Sequence, residues 1–422
     1  MAELIEIKEE KEKVILVAVA LADNDDTEES VDELAELVDT AGAETVGRVI
    51  QKRESYQPGT YIGKGKIAEV KELIAQTGAS GIITDDELSP AQMKNLEAEL
   101  ETKVMDRTML ILDIFAKHAD SSEGKLQVEL AQLKYRSSRL VGMRSSMSRV
   151  SYGIGMRGPG EKKLEMDRRL IRDRISQLQS ELKDMERNRE TTRAKRLKNQ
   201  TPTVAIVGYT NAGKSTLLNR LTGAGILEAD MLFATLDPTT RSKTLESGQE
   251  VLFTDTVGFI RKLPHHLIEA FHSTLEEAGY ADIIMHVVDS SNPMCDKQMH
   301  VVYETLRKLN INDKPVITVF NKQDLNLSGE KLKDLNCEAS VEISAVTGAG
   351  IDELLAIIEK KLLERKKYYE AVIDYGNAGI IQQIRKNGQL IAEEYQADGI
   401  LVKAYLPPEL YYKLCPKPKE EW

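Results

Sequence analysis

The chain has 422 residues, 41% of them apolar, and a formal net charge of −11. This length allows two to four domains with a sizeable core. We expect neither a membrane span nor a signal peptide, because no apolar run reaches roughly 18 residues and the N-terminus, MAELIEIKEEKEK, is charged. The three cysteines are scattered without metal-ligand spacing, as in a reducing compartment. These features predict a cytoplasmic protein, which we expect to be a monomer.

Strand-like and helix-like runs alternate through residues 1–122. The predicted strands are VILVAVAL (14–21), TVGRVI (45–50), GIIT (81–84) and KVMD (103–106). The predicted helices are SVDELAELVDTAG, GKIAEVKELIAQTG and SPAQMKNLEAEL. Ser30 and Ser89 stand at the expected N-cap positions of the first and third helices. This alternation predicts an N-terminal α/β domain with a mostly parallel sheet.

Residues 123–199 predict two long helices. Their apolar side chains recur at helical spacing, which is typical of an antiparallel helical hairpin with a coiled-coil-like seam. These side chains are Leu126, Leu130, Leu133 and Leu140, then Leu164, Ile171, Ile175, Leu178, Leu182 and Met185.

The hairpin is basic although the whole chain is acidic. Residues 131–200 contain 19 Lys and Arg against 8 Asp and Glu, a local charge of +11. Arginine and lysine pair with phosphate oxygens, and the glycines and serines at the hairpin tip let the backbone approach a phosphate chain closely. The candidate RNA-binding residues of the tip are Arg144, Arg149, Arg157, Lys162 and Lys163. A solvated helix surface is the alternative interpretation.

Residues 200–365 alternate strands and helices again and contain a phosphate-binding motif. VAIVGYTNAGKST (204–216) places an apolar strand before G-x-x-x-x-G-K-S and a helical pattern after it, which is the context of a P-loop. Its backbone N–H groups would bind phosphate oxygens, its lysine would reach the β- and γ-phosphates, and its serine would bind Mg²⁺. The predicted nucleotide-binding residues are Gly208, Tyr209, Thr210, Asn211, Ala212, Gly213, Lys214, Ser215 and Thr216.

The segment VLFTDTVGF (251–259) predicts a strand that ends in D-x-x-G. Asp255 would stand beside the magnesium ion, and the backbone N–H of Gly258 would sense the γ-phosphate. Thr256 and Val257 complete this part of the predicted site.

Two further strand ends predict specificity for guanine. VITVFNKQD (316–324) ends in Asn321-Lys322-x-Asp324, and its carboxylate can accept hydrogen bonds from guanine N1–H and N2–H₂, donors that adenine lacks. In VEISAVTGAG (341–350), the loop at Ser344 and Ala345 can contact the guanine O6 edge. We therefore predict a G domain that binds GTP and GDP with Mg²⁺.

FATLDPTTR (233–241) is the predicted switch, ordered by GTP and released on hydrolysis. A threonine here should complete the magnesium shell; Thr235 is preferred, with Thr239 and Thr240 as competitors. Phe233 and Ala234 are predicted to lie at the nucleotide.

The sequence assigns no catalytic side chain. Many GTPases orient the attacking water with a glutamine after the D-x-x-G glycine, but Phe259 occupies that position and can neither donate nor accept a hydrogen bond. We therefore expect slow intrinsic turnover that a partner raises. Asn211 either stabilises the loop turn or helps to bind K⁺, and both interpretations remain open.

The remaining residues, 366–422, contain the strand-like YYEAVIDY and GILVKAYL around the helix-like NAGIIQQIRKNG. The predicted fold class is therefore an α/β multidomain protein. Its predicted parts are the N-terminal α/β domain (1–122), the hairpin (123–199), the P-loop G domain (200–365) and a small α+β C-terminal domain (366–422).

The chain resembles the HflX family of translation-factor-related GTPases over most of its length. The resemblance rests on long, specific strings: DRTMLILDIF (106–115), EGKLQVELAQLKY (123–135), RGPGEKKLEMDRRLI (157–171), FATLDPTTR and GFIRKLPHHLIEAFHSTLEEA (258–278). It implies a GTPase that binds the large (50S) ribosomal subunit and its rRNA. It also implies help in splitting or rescuing stalled or idle ribosomes under stress.

This sequence departs from the family pattern near the hairpin tip. Lys162 and Lys163 replace a Thr-Gln pair, and Met166 replaces a threonine, as a diverged paralogue would show. Two other functions therefore stay open: a GTP-switched regulator of a protein partner, and an RNA-remodelling enzyme that also uses ATP. Residues 1–130 contain no second P-loop to support ATP binding.

Overall fold

The computed structural model describes residues 11–21, 26–147, 159–199, 201–223, 232–233, 238–262, 277–311, 313–326, 332–377 and 379–415, apart from the side chains at 140–147, 159–164, 190, 192–199, 386–387 and 409. The chain forms two compact units. Unit 1 comprises residues 1–185, 229–237 and 260–272, and unit 2 comprises 186–228, 238–259 and 273–422. Within the described ranges, no helix has the length and apolar character needed to cross a membrane.

Unit 1 contains a four-stranded, fully parallel sheet with helices between its strands. The strands are β1 (Lys13–Leu21), β2 (Glu44–Arg53), β3 (Gly81–Thr84) and β4 (Lys103–Asp106). The helices are α1 (Thr27–Thr40), α2 (Lys64–Thr77), α3 (Pro90–Leu100) and α4 (Arg107–His118). The strand order is β2-β1-β3-β4, and all four strands contribute apolar side chains to one core. The predicted α/β character of this part is confirmed.

Ser30 does not cap the first helix, contrary to the prediction. Helix α1 begins earlier, at Thr27, which places Ser30 inside its first turn. The Ser30 hydroxyl donates instead to the Asp85 carboxylate at 2.8 Å, and Asp85 also accepts from the buried guanidinium of Arg107. A buried carboxylate needs such donors, and a small serine on the facing helix supplies one. Ser89 caps α3 in a capping box, as predicted.

The predicted antiparallel helical hairpin follows this sheet. Its helices are α5 (Ser122–Met147) and α6 (Pro159–Asn199). Arg174 of α6 binds Glu129 of α5 through two hydrogen bonds of 2.7 and 2.9 Å, and Leu178 of α6 is fully buried. Tyr135 of α5 donates to the buried Asp106 carboxylate at 2.7 Å, which anchors the hairpin to the end of β4.

Unit 2 contains a six-stranded sheet that is parallel except at one edge. The strands are β5 (Thr203–Gly208), β6 (Thr239–Thr244), β7 (Glu250–Asp255), β8 (Ile283–Asp289), β9 (Val316–Asn321) and β10 (Ala339–Glu342). The helices are α7 (Lys214–Thr222), α8 (Cys295–Lys308) and α9 (Ile351–Glu364). The strand order is β10-β9-β8-β5-β7-β6, and only β6 is antiparallel to its neighbour. Because parallel strands end at the same edge, the loops after β5, β7 and β9 converge there.

The C-terminal part of unit 2 is an antiparallel sheet with two helices. Its elements are β11 (Lys367–Ile373), α10 (Gly379–Asn387), β12 (Gln389–Gln396), β13 (Gly399–Leu406) and α11 (Pro408–Leu414). The strand order is β11-β13-β12, and the apolar faces of the helices and strands form a separate small core. Strand β12 and helix α11 were not predicted from the sequence, but the α+β character was.

Candidate nucleotide-binding site

The P-loop connects the end of β5 to the start of α7. A Cβ on Gly208 would lie 2.3 Å from the backbone oxygen of Val287, so the neighbouring strand leaves no room for a side chain. Gly213 has φ +89°, a left-handed conformation that favours glycine, and directly precedes α7. The backbone N–H groups of the first turn of α7 therefore lie at the converging edge of the sheet, where they can bind an anion.

Lys214 and Asp255 place opposite charges beneath this loop. Burial lowers the pKa of Lys214 to about 8, and the nearby Asp255 carboxylate opposes the shift. The Lys214 ammonium donates to the carbonyl of Tyr209 at 2.8 Å. The Ser215 hydroxyl donates to the Asp255 carboxylate at 2.7 Å. A hydroxyl and a carboxylate held together are oxygen ligands of the kind that Mg²⁺ prefers.

Asn321, at the end of β9, joins the P-loop to the loop after β10. Its side-chain nitrogen donates to the carbonyl of Ala212 at 2.9 Å, and its side-chain oxygen accepts from the backbone N–H of Ala345 at 2.9 Å. The side chain is only 1% exposed. Asn321 therefore holds two predicted nucleotide loops together, and a direct contact with the base stays a prediction.

The other residues predicted to recognise guanine lie around this junction. Asp324 is exposed beyond the end of β9, so its carboxylate is available to a ligand. Lys322 adopts φ +64°, and its ammonium lies 2.7 Å from the Asp289 carboxylate. The Ser344 hydroxyl accepts from the backbone N–H of Thr347 at 3.2 Å and thereby shapes the loop after β10.

The segment after β7 pairs with the P-loop through its backbone. Phe259 donates its N–H to the carbonyl of Gly208 at 3.0 Å and accepts from the N–H of Thr210 at 2.8 Å. The Phe259 side chain is 2% exposed. A Cβ on Gly258 would lie 2.8 Å from Thr210 Cγ2 and 3.0 Å from Lys214 Nζ, so close packing against the loop requires glycine.

Four other residues of the predicted site have different surroundings. The Thr256 hydroxyl donates to the carbonyl of Ile206 at 2.8 Å, so it supports the strand. Val257 is buried, whereas Asn211 is exposed with φ +59°. Thr216 is half-buried in the first turn of α7.

The predicted switch is only partly described. Phe233 belongs to unit 1, where its ring packs edge-on against Phe115 with 4.6 Å between centroids. Thr239 and Thr240 begin β6, and the Thr240 hydroxyl shares a 2.9 Å hydrogen bond with that of Thr254. Several predicted residues lie outside the described ones, as complete residues or as side chains: Ala234, Thr235, Arg144, Arg149, Arg157, Lys162 and Lys163.

Sequence patterns missed two contributions to this site: the bridging amide of Asn321 and the backbone pairing of Phe259. Both link segments far apart in the chain, so no local spacing signals them. The glycines at 213 and 258 were the available signal: a Cβ on Gly213 would lie 2.3 Å from the side-chain nitrogen of Asn321, and one on Gly258 would lie 2.8 Å from Thr210 Cγ2.

The fold and site define a P-loop GTPase: a phosphate loop, a D-x-x-G strand end and an N-K-x-D strand end meet at one edge of a mostly parallel sheet. Family models match residues 28–116 as the N-terminal part of a GTP-binding GTPase, 118–196 as its middle region and 203–322 as a 50S ribosome-binding GTPase.

The chain belongs to the HflX family of GTPases. It is 64% identical to GTPase HflX of Lacrimispora saccharolytica over 415 residues, which are 98% of each chain. It is 44% identical to GTPase HflX of Escherichia coli over 354 residues, or 83% of each chain. The solved complex of SsGBP with GDP aligns at TM-score 0.48 and 27% identity, over 82% of this chain and 98% of that one. Membership of this GTPase family, through the curated relatives and the family models, shows that the protein binds guanine nucleotides and hydrolyses GTP.

Proposed function

We propose that this GTPase acts on the large ribosomal subunit in the cytoplasm, with the hairpin as its RNA-binding arm. The observation that carries the proposal is a basic arm in the same chain as a GTP site: α6 contains 13 Lys and Arg against 8 Asp and Glu. Arg169, Arg172 and Arg187 of α6 are exposed, so RNA phosphates could reach them. The match to a 50S ribosome-binding GTPase model supports the choice of partner.

We also propose that the chain is divided into four parts, with boundaries after residues 122, 199 and 365. The N-terminal domain and hairpin would contact the subunit, and the G domain would set the affinity according to its nucleotide. We propose that this cycle of GTP binding and hydrolysis splits or rescues stalled or idle ribosomes under stress.

The nucleotide would bind along the converging edge of the six-stranded sheet. Residues 208–216 would hold the phosphates, and Asp324, with the loop at Ser344 and Ala345, would hold guanine. Ser215 and Asp255 fit a magnesium ion, since their oxygens already lie together; Thr235 would join them when the γ-phosphate is present. The ion would stabilise the negative charge that develops on the phosphates.

Hydrolysis would be slow without a partner. Lys214 would hold the β- and γ-phosphates, and the Gly258 N–H would bind the γ-phosphate once it arrives. The buried Phe259 side chain cannot position the attacking water. The ribosome would therefore accelerate the reaction by supplying or ordering a polar group.

The test is single-turnover GTP hydrolysis by the purified chain alone, with 50S subunits and with 30S subunits. We expect at least tenfold acceleration by 50S and little by 30S, while Lys214→Ala should abolish turnover in every case. Equal rates with and without 50S would contradict the ribosomal role. Stimulation by a protein factor alone would favour the protein-partner alternative, and ATP turnover that survives Lys214→Ala would favour the ATP-dependent one.

We also propose that Asn211 helps to bind a K⁺ ion beside the phosphates. Its side chain is exposed and its backbone is left-handed (φ +59°), so the amide oxygen is accessible to an ion. The rate of GTP hydrolysis should then be higher in potassium than in sodium salts, and Asn211→Ala should remove this difference. Equal rates in both salts would leave only the role of stabilising the turn.

A further inference from the structure

The region expected to receive the γ-phosphate lacks the side chain that usually orients water. Phe259 stands in that position, and its ring is buried. Both of its backbone polar groups are bonded to the P-loop, to Gly208 and Thr210. The side chain therefore cannot hold a water molecule, and the only backbone donor of Phe259 is already used, so we expect intrinsic hydrolysis to need another polar group.

Thr210 brings a hydroxyl to this place. Its side chain is 6% exposed, and among the described residues its hydroxyl oxygen has no hydrogen-bond partner. Its Cγ2 and Cα lie 2.8 and 2.9 Å from the point where a Cβ on Gly258 would stand, and Lys214 Nζ lies 3.0 Å from the same point. Thr210 is therefore packed beside the glycine expected to sense the γ-phosphate and the lysine expected to bind it.

A structural role does not account for this hydroxyl. The residue is already held in place by its backbone N–H, which donates to Phe259 at 2.8 Å. Buried hydroxyls are nearly always bonded, and one without a partner destabilises a fold. Valine would pack with the same shape and without that cost. The threonine makes physical sense when a ligand or its water completes the hydrogen bonding.

We propose that Thr210 is a catalytic residue of GTP hydrolysis whose hydroxyl hydrogen-bonds the attacking water. This inference rests on GTP binding at the P-loop and is independent of the ribosomal role. The water oxygen forms a bond to the γ-phosphorus while the bond from phosphorus to the β–γ bridging oxygen breaks. The bridging electrons leave with GDP, and the proton of the water passes to a γ-phosphate oxygen. The Thr210 hydroxyl orients the water and is unchanged at the end.

The test compares Thr210→Val, which keeps the shape, with Thr210→Ser, which keeps the hydroxyl. Single-turnover hydrolysis is measured on the full chain, together with affinities for GDP and for the non-hydrolysable analogue GMPPNP. We expect Thr210→Val to hydrolyse GTP about 10- to 100-fold more slowly, the effect of one hydrogen bond lost in the transition state. Both affinities should stay within about twofold, and Thr210→Ser should keep most of the rate.

A matched control is Thr305→Val on α8, whose hydroxyl donates to the carbonyl of Val301 at 2.8 Å away from the loop. This variant should hydrolyse GTP at the parent rate.

The proposal is overturned if Thr210→Val also keeps the parent rate. It is equally overturned if Thr210→Ser and Thr210→Val lose the same activity, because packing would then explain the loss. If Thr210→Val bound GMPPNP more weakly but hydrolysed bound GTP at the parent rate, the hydroxyl would contribute to nucleotide binding only, and the catalytic role would be rejected. Failure of GTP binding by the parent chain would instead remove the P-loop assignment itself.

Discussion

His286 is a buried titratable residue with no assigned role in the proposed nucleotide site. It lies in the central strand β8, is 1% exposed and packs edge-on against Tyr303 with 5.2 Å between ring centroids. Its Nδ1 has no hydrogen-bond partner in the part of the chain that the structure describes. Burial lowers the pKa of His286 to about 4; the Asp334 charge opposes this shift and the Lys214 charge adds to it. The folded protein therefore keeps this imidazole neutral at ordinary pH.

This lowered pKa predicts a loss of stability in acid. The unfolded chain takes up a proton on this histidine below about pH 6.5, whereas the folded chain does so only near pH 4. The unfolding free energy should therefore fall as the pH drops from 6.5 towards 4, by about 2 kcal/mol at pH 5. Urea unfolding of the parent and of His286→Phe at pH 7.5 and 5.0 measures the difference.

The expected result is that His286→Phe loses about 2 kcal/mol less than the parent between these two pH values. His300→Gln, an exposed histidine on α8, is the control that should follow the parent. An identical loss in the parent and in His286→Phe would show that other groups cause the acid sensitivity.

The site residues differ in how far their sequence predicts their roles. The P-loop was predictable because its glycines, lysine and serine lie within one short continuous segment, residues 208–215. The amide of Asn321 was not, since its two partners, Ala212 and Ala345, become neighbours only when the sheet forms. The free hydroxyl of Thr210 depends likewise on the segment at Phe259.

At the scale of whole elements, Asp106 connects three parts of unit 1. Its carboxylate caps α4 by accepting from the N–H of Met109 at 2.9 Å, and it accepts from the N–H of Leu88 at 3.1 Å. It also accepts from the Tyr135 hydroxyl at 2.7 Å and pairs with the guanidinium of Arg139, both on α5. The carboxylate is fully buried. If it were removed, water could not easily reach these donors to accept their hydrogen bonds.

We expect Asp106→Ala to destabilise unit 1 by about 3–5 kcal/mol, because it leaves the partly buried Arg139 and several buried donors unpaired. Thermal or urea unfolding followed by circular dichroism would measure the change. The control is Glu129→Ala, which breaks the half-exposed pair with Arg174 on the same hairpin and should cost at most about 1 kcal/mol. Equal losses in the two variants would contradict the central role of Asp106.

The elements themselves were predictable where local signals mark their ends. Ser89 supplied such a signal for α3, and the alternation of apolar and polar runs predicted all four strands of the first sheet and most strands of the second. Strand β6 was not predicted, because its first residues were assigned to the switch. Helix α4 was missed because β4 ends at Asp106 and α4 starts at Arg107, with no turn residue between them. Ser30 misled the prediction because its hydroxyl serves Asp85, a contact that exists only in the folded domain.

At the scale of the whole molecule, positive charge is concentrated in the hairpin and negative charge in the rest of the chain. Residues 131–200 carry +11 in a chain whose total is −11, so attraction to a polyanion is concentrated in the hairpin while the rest of the chain opposes non-specific binding. If the proposed ribosomal role is correct, the affinity for 50S subunits should fall steeply with salt, because each phosphate contact releases a counterion.

Substituting the five tip cations, Arg144, Arg149, Arg157, Lys162 and Lys163, by alanine tests this expectation. Each contact contributes about −0.7 to −0.9 to the slope of log affinity against log salt concentration, so the slope should become shallower by about 3.5–4.5 if all five contact phosphates. Co-sedimentation with 50S subunits in the presence of GMPPNP, over a series of potassium chloride concentrations, gives the slope.

The matched control removes five exposed lysines that lie outside the hairpin: Lys64, Lys71, Lys94, Lys297 and Lys308. It changes the net charge by the same amount, so a general electrostatic effect would weaken binding in both variants alike. Contact through the tip instead predicts a shallower slope only when the tip cations are absent. If the two variants gave the same slope as the parent, the hairpin tip would not bind rRNA, and the basic face of α6 would remain as the candidate contact.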